Sequence, residues 1–348
     1  MEEKSTILQK IIDTTTDNKL VYGVQLSVTA SNFEWTGFSG NLPPAKHYFI
    51  ASTTKLYITA LFLRLKYQQG FDLNSPIHLY LDDGIMRGLH SYRGKEYSKL
   101  ITVKHLLSHT SGLPDYFQQK NENGKSLLER LIQNENIGWS FEDAISSSKK
   151  LQPHFYPGEK SKAFYSDTNY QLLGKILENH CQCSLSALLH KEIYDVIGLK
   201  DTWMFDDREL GHVAPIYYKS TALQIPAAMS SFWADGGLVS TSSDSMKFIR
   251  SFFNGDLFPN SYLPELYHWN RIFFPLRYGM GIALFKLPRI FSPFSAMPEF
   301  IGHSGLSGAF AFYSPSRDLY LTGTVNQIHN PGTSFRMMLK VAAALKEK

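Results

Sequence analysis

Apolar residues are spaced in two ways along this chain, and the changes of spacing mark out its elements. The first twenty residues, MEEKSTILQKIIDTTTDNKL, are amphipathic and read as a helix. YGVQLSVTA and FEWTGFSG then read as two strands with a turn between them. HYFIASTTKLYITALFLRLKYQQG, from His47 to Gly70, reads as a strand end running into a long apolar helix that stops at Gly70. From FDLNSPIHLYLDD to about Asp201 the text is helical and loopy, punctuated by Pro and Gly with few alternating runs. In DGGLVSTSSDSMKFIRSFFNG a helix is bounded by a capping box from Thr241 to Asp244 and by Gly255 just past its end. YGMGIALFKL, FIGHSGLSGAFAFYSP and LYLTGTVNQ read as strands, and SFRMMLKVAAALKEK as a terminal helix.

Strands at both chain ends around a helical middle predict an α+β fold, an antiparallel sheet flanked by helices with an inserted all-helical domain. The expected division is a discontinuous domain from residues 1–70 and 225–348, and a helical domain over 71–224. A chain of 348 residues with 43% hydrophobic content is large enough for two cores.

Charge and cysteine content exclude several classes. The net charge of +4 is spread without a block of one sign, so nucleic acid and an anionic membrane surface are not expected partners. Cys181 and Cys183, with His180, are confined to four residues and lack the spacing of a zinc site, so neither a metal nor a cofactor is expected. The apolar runs from Leu56 to Leu65 and from Gly279 to Phe285 are too short to span a bilayer, and stable membrane insertion is not expected. The N-terminus does not read as a signal peptide, which makes the expected location cytoplasmic.

Lys55 carries the first chemical signal. It stands in the first turn of an apolar helix, where the helix dipole disfavours a cation, and three residues after Ser52 on the same face. A glutamate there would close a capping box; a lysine cannot accept that hydrogen bond. A serine hydroxyl needs a base within reach to act as a nucleophile, and a desolvated lysine near a positive dipole would have its pKa lowered towards a base. Ser-x-x-Lys recurs at Ser146 to Lys149 and Ser147 to Lys150, but in a polar, lysine-rich stretch that reads as a solvated helix end.

Five stretches in order extend the pair: ASTTKLYITALF, ITVKHLLSHTSGLPDY, PGEKSKAFYSDTNYQLLGKILE, DGGLVSTSSDSMKFI and GHSGLSGAFAFYSP. With these the chain resembles the serine β-lactamase and penicillin-binding protein family, which includes class C β-lactamases, DD-peptidases and related esterases. The resemblance runs from about Tyr22 to the C-terminal helix and implies a β-lactamase/transpeptidase-like fold and an acyl-enzyme mechanism. It makes Ser52 the nucleophile, Lys55 its partner and Tyr165 a general base that later protonates the leaving group. His303, Ser304 and Gly305 match the strand that orients the acyl substrate. Backbone N–H groups of Ser52 and Leu306 are the expected oxyanion donors, with Gly305 letting a substrate approach closely. His109 fits a family motif and reads as a structural hydrogen-bonder in a turn.

Two residues depart from the family. Asp167 replaces an asparagine, and its charge would favour charged Lys55 and raise the Tyr165 pKa. His303 replaces a lysine that holds a substrate carboxylate, so a cation would return only below a pH near 6.5. The expected substrates are small esters, amides or peptides. Open alternatives are a penicillin-binding or regulatory protein with little turnover, and a D-alanyl-D-alanine carboxypeptidase or β-lactamase. An α/β-hydrolase is set aside because no Gly-x-Ser-x-Gly elbow occurs. The Pro-rich stretch KLPRIFSPFSAMPEF reads as a buried loop or as an apolar wall over the site.

Overall fold

A computed structural model describes residues 2–206, 211–288, 290 and 297–345. Its largest sheet has eight strands, which we number in chain order: β1 (Gly23–Ala30), β2 (Phe33–Gly40), β3 (Asn270–Phe273), β4 (Leu276–Tyr278), β5 (Ala283–Phe285), β6 (Phe300–Ser304), β7 (Ala309–Ser314) and β8 (Leu319–Thr324). The spatial order is β3-β4-β5-β6-β7-β8-β1-β2, and every neighbouring pair is antiparallel. Gln25 lies opposite Thr324, so the N-terminal hairpin completes a sheet whose other strands come from the last eighty residues.

The principal helices are α1 (Glu2–Thr15), α2 (Thr54–Gln69), α3 (Asp167–Cys181), α4 (Ser242–Asn254) and α5 (Gly332–Ala344). Alternation along the strands sets which helix covers which face. Leu26, Val28, Phe310, Phe312 and Leu321 cluster with Leu8 and Ile12 of α1 and Met337, Met338 and Val341 of α5. Ala309, Ala311 and Tyr320, on the opposite face, join a larger cluster with α2 and α4. That cluster continues into Leu106, Leu107, Leu172, Leu173 and Ile176, so the sheet and the middle of the chain share apolar packing. Every residue of α2 from Thr54 to Leu65 is buried, which is why its sequence is apolar all round rather than striped.

Two expectations are refined. The middle of the chain is not wholly helical: it holds the hairpins Ser91–Tyr92 with Lys95–Glu96 and Tyr217–Tyr218 with Thr221–Ala222. Thr241 does cap α4 by accepting the Asp244 N–H at 3.1 Å. The Asp244 carboxylate instead takes the Asp201 N–H at 2.7 Å and the Thr202 hydroxyl at 3.1 Å, so the cap is one-way rather than a reciprocal box. Residues 289 and 291–296 of the expected apolar wall lie outside the described residues. Among the described residues no helix is long and apolar enough to cross a membrane.

A second, three-stranded sheet places the candidate nucleophile. Tyr48–Phe49 pairs with Leu238–Ser240, which also pairs with Trp203–Met204. The short helix Trp233–Gly236 before Leu238 packs closely on α3, where a Cβ on Gly174 would lie 2.5 Å from the Ala234 Cβ. This close approach brings Asp235 to the first turn of α3 and to the start of α2.

Candidate active site

Ser52 sits in a 3-10 turn, Ala51–Thr53, immediately ahead of α2. Ala51 has φ +45°, a left-handed conformation that residues with a Cβ seldom adopt. The turn is held by the Ile50 N–H donating to the Leu238 carbonyl at 3.0 Å, and by the Ser307 hydroxyl donating to the Phe49 carbonyl at 2.7 Å. Gly305 closes against it: a Cβ there would lie 2.4 Å from the Ile50 carbonyl oxygen and 2.9 Å from the Ala51 Cβ. The space that the absent Gly305 Cβ leaves is thus taken by the Ser52 turn itself. Ser304 ends β6 partly exposed, and Leu306 and Ser307 line a cavity beside Ser52.

Lys55 is fully buried and donates to three oxygens: Ser52 Oγ at 3.2 Å, Asp167 Oδ1 at 2.7 Å and the Asp235 carbonyl at 2.5 Å. Burial alone would lower its pKa. The charge of Asp167, with Tyr165 and Asp235, outweighs burial and holds the ammonium above the usual lysine range. This corrects the expectation of a lysine lowered towards a base. Tyr165 lies beside this group, with the Lys55 ammonium 5.2 Å from the centre of its ring, and burial with the Asp167 anion pushes its phenol above the usual tyrosine range despite Lys55. Ser52, Lys55, Tyr165 and Asp167 are thus together, and Asp167 faces Lys55 in the first turn of α3, where the helix dipole favours an anion. Asn169 points elsewhere, accepting from the Ser111 hydroxyl at 2.7 Å and meeting His109 Nδ1 at 3.0 Å.

His303 is not a substrate contact through its ring. It is 3% exposed, with Nε2 3.1 Å from the Tyr278 hydroxyl and Nδ1 2.8 Å from the Ser304 carbonyl. Nδ1 donates to the Ser304 carbonyl, and the Tyr278 hydroxyl can either give a hydrogen bond to Nε2 or take one from it, so the charge of the ring is set by its surroundings. Burial and the Lys55 cation push its pKa down to about 3. The expected pH-gated cation is thereby removed. His109 is likewise buried and neutral, its Nδ1 accepting from the Ser166 N–H at 3.2 Å, with burial and the Lys55 charge holding its pKa well below the usual range.

Sequence reasoning missed Asp115 and Asp235. Asp115 accepts the Asp167 and Phe117 N–H groups through Oδ1 and the Gln118 N–H through Oδ2, and burial beside Asp167 pushes its pKa up to about 7. Asp235 Oδ2 accepts from the Tyr116 hydroxyl at 2.7 Å and Gln171 Nε2 at 3.0 Å. Asp235 opens one of the five ordered stretches, but no residue pattern assigns its carbonyl to Lys55, 180 positions away. Among the described residues no three His, Cys, Asp or Glu side chains are grouped so as to hold a metal.

The cavity beside Ser52 measures about 50 Å³. Phe117, Ile216, Met229, Phe232, Leu306 and Ile328 supply an apolar wall, and Asp167 and Asp235 its acidic side. No Lys, Arg or His among the described residues lines it.

Comparison with known proteins gives the arrangement a context. Residues 8–345 match the beta-lactamase family profile. A putative D-alanyl-D-alanine carboxypeptidase from Salmonella agona is 30% identical over 156 residues, covering 44% of this chain and 33% of that protein. The match thus spans about a third of that curated relative's length. Among solved structures, the D-amino acid amidase of Ochrobactrum anthropi SV3 superposes with TM-score 0.78 at 21% identity over 99% of both chains. A D-stereospecific amidohydrolase from a Streptomyces species has TM-score 0.76 at 23% identity, over 95% of this chain and 97% of the other.

Proposed function

This chain belongs to the beta-lactamase family, and we propose that it is a serine hydrolase that cleaves small amides and esters through an acyl-enzyme on Ser52. The observation that carries the reading is the buried Lys55 ammonium 3.2 Å from Ser52 Oγ and 2.7 Å from Asp167. No other Ser-x-x-Lys pair shares this setting, since Ser146 and Ser147 lie at the solvated end of the Phe141–Lys149 helix.

Neither Lys55 nor Tyr165 is a base as it stands in the free protein, because one is an ammonium and the other a phenol. Lys55 becomes a base when one of its protons passes to Asp167. Its Nζ then takes the Ser52 hydroxyl proton as Oγ attacks the substrate carbonyl, and the oxyanion forms beside the Ser52 and Leu306 backbone. On collapse, the Tyr165 hydroxyl gives its proton to the leaving nitrogen or oxygen. Lys55 reprotonates Tyr165, and Asp167 returns the proton to Lys55, restoring the starting charges. Water repeats the sequence to release the acid. Penicillins and D-alanyl peptides carry a carboxylate for which the neutral His303 supplies no cation, so they are expected to be slower substrates than neutral esters.

The test is p-nitrophenyl acetate turnover together with intact-mass analysis after fluorophosphonate treatment. One adduct on the Ser52 peptide is expected, with both signals lost in Ser52→Ala. Turnover that survives Ser52→Ala, or an adduct on another serine, would overturn the reading.

A further inference from the structure

The hairpin of β3 and β4 ends in two exposed aromatic rings. Phe273 is 54% exposed and Phe274 71%, whereas Leu276, the strand partner of Phe273, is buried. β3 is an edge strand of the sheet, and a register shift between Arg271 and Phe273 interrupts its pairing with β4. Irregularities of this kind re-aim a side chain. Here the Phe273 ring meets the Tyr165 ring edge-on, with centres 6.2 Å apart and planes at 71°. The other aromatic neighbours of Tyr165 are buried, His109 at 4.4 Å, Tyr278 at 6.0 Å and His303 at 6.3 Å. Phe273 is the exposed one, and it belongs to none of the apolar clusters among the described residues. Neither Tyr165 nor Phe273 lines the cavity beside Ser52, so these rings form a separate side of the site.

We propose that Phe273, with Phe274 beside it, is the subsite for the leaving group, and that the preferred leaving groups carry an aryl ring, as in arylmethyl esters and N-arylmethyl amides. The proposal rests on the hydrolase reading for which side of the scissile bond faces Tyr165. In that mechanism Tyr165 gives its proton to the leaving atom, which therefore sits within roughly 3 Å of the Tyr165 hydroxyl. A ring carried one methylene further on lies beside Tyr165 and comes within reach of Phe273. Size points the same way. The cavity on the other side of Ser52 measures about 50 Å³, space for a few waters at roughly 10–15 Å³ each, so the bulk of a larger substrate belongs to its leaving group. An aryl ring adds an edge-to-face or offset-stacked contact to the apolar area it buries, which an alkyl group does not. The contact needs no charge on the ligand.

Calorimetric titration of the Ser52→Ala protein at pH 7 tests the subsite without turnover. The ligands are N-benzylacetamide, N-ethylacetamide and N-methyl-2-phenylacetamide, the last an isomer of the first with its ring on the acyl side. N-benzylacetamide is expected to bind about fivefold or more tightly than either of the others. Adding Phe273→Ser and Phe274→Ser is expected to shrink its advantage over N-ethylacetamide to within about twofold, while changing the affinity for N-methyl-2-phenylacetamide by less than that. Equal or tighter binding of N-ethylacetamide or of the isomer would overturn the proposal, as would no binding of N-benzylacetamide. So would an advantage that survives both serine substitutions, or an equal loss for the isomer. The ligand comparison in Ser52→Ala decides the matter even if the further variant fails to fold. Failure of p-nitrophenyl acetate turnover would instead remove the hydrolase reading and leave the binding result intact.

Discussion

At residue scale, Asp167 and His303 replace the two residues expected to supply an amide and a cation, and their surroundings decide what each does. In the proposed mechanism Asp167 is the acceptor that lets Lys55 become a base, so Asp167→Asn should lower kcat/KM for p-nitrophenyl acetate by about 10²-fold or more, although it restores the family residue. Losing one partner of a buried ion pair also costs about 3 kcal/mol, so the comparison is made on protein shown to be folded by circular dichroism. Activity equal to or above wild type would remove Asp167 from the proton path. His303 makes the opposite case, a histidine whose environment silences it. Its folded pKa of about 3 lies below the unfolded value near 6.5, so the folded protein binds fewer protons in that window. Keeping His303 neutral therefore costs stability as pH falls through the window, on the order of a few kcal/mol at its foot. Urea unfolding should show His303→Gln gaining on wild type between pH 7 and pH 4. Parallel stability profiles would mean that His303 titrates normally. By the same sign, the ratio of anionic to neutral substrate rates should stay flat from pH 5 to pH 8.

At the scale of elements, the site is a junction of four chain segments. The Ser52 turn is gripped between β6 and the Leu238 strand, with Gly305 allowing β6 to end against Ile50 and Ala51. Gly305→Ala forces a methyl to within 2.4 Å of the Ile50 carbonyl, and one of the two backbones must move. We expect about 1–3 kcal/mol of destabilisation and a fall in kcat of about 10²-fold, because the displaced groups are Ser52 and the Leu306 N–H. Thermal melting alongside single-turnover kinetics separates the two effects; loss of stability at unchanged kcat would show that the contact is only structural. The strands and long helices of this junction were legible from spacing and from glycines such as Gly70 and Gly255. That the cap at Thr241 is one-way was not, because Asp244 is drawn to Asp201 and Thr202, partners more than forty positions away.

For the whole molecule, one apolar cluster joins α2, α3 and α4 across the expected domain boundary, while α1 and α5 cover the other face of the sheet. The parts should therefore unfold together, giving a single calorimetric transition whose enthalpy matches the van't Hoff value. Two resolved transitions would restore the independent helical domain expected over 71–224. That Ser52, Lys55 and Tyr165 come together was readable from the sequence because Ser52 and Lys55 lie one helical turn apart, and because ordered motifs place Tyr165 with them. The period-2 and period-3.6 patterns likewise determined the antiparallel sheet and its flanking helices, since those patterns are local consequences of backbone geometry. What only the tertiary structure decided is the electrostatics. Asp235 approaches Lys55 because Gly174 admits the Trp233–Gly236 turn, and His303 is held neutral by burial and by the nearby Lys55 cation. Protonation depends on burial and on charges brought together from distant parts of the chain, and neither leaves a local trace in the order of residues.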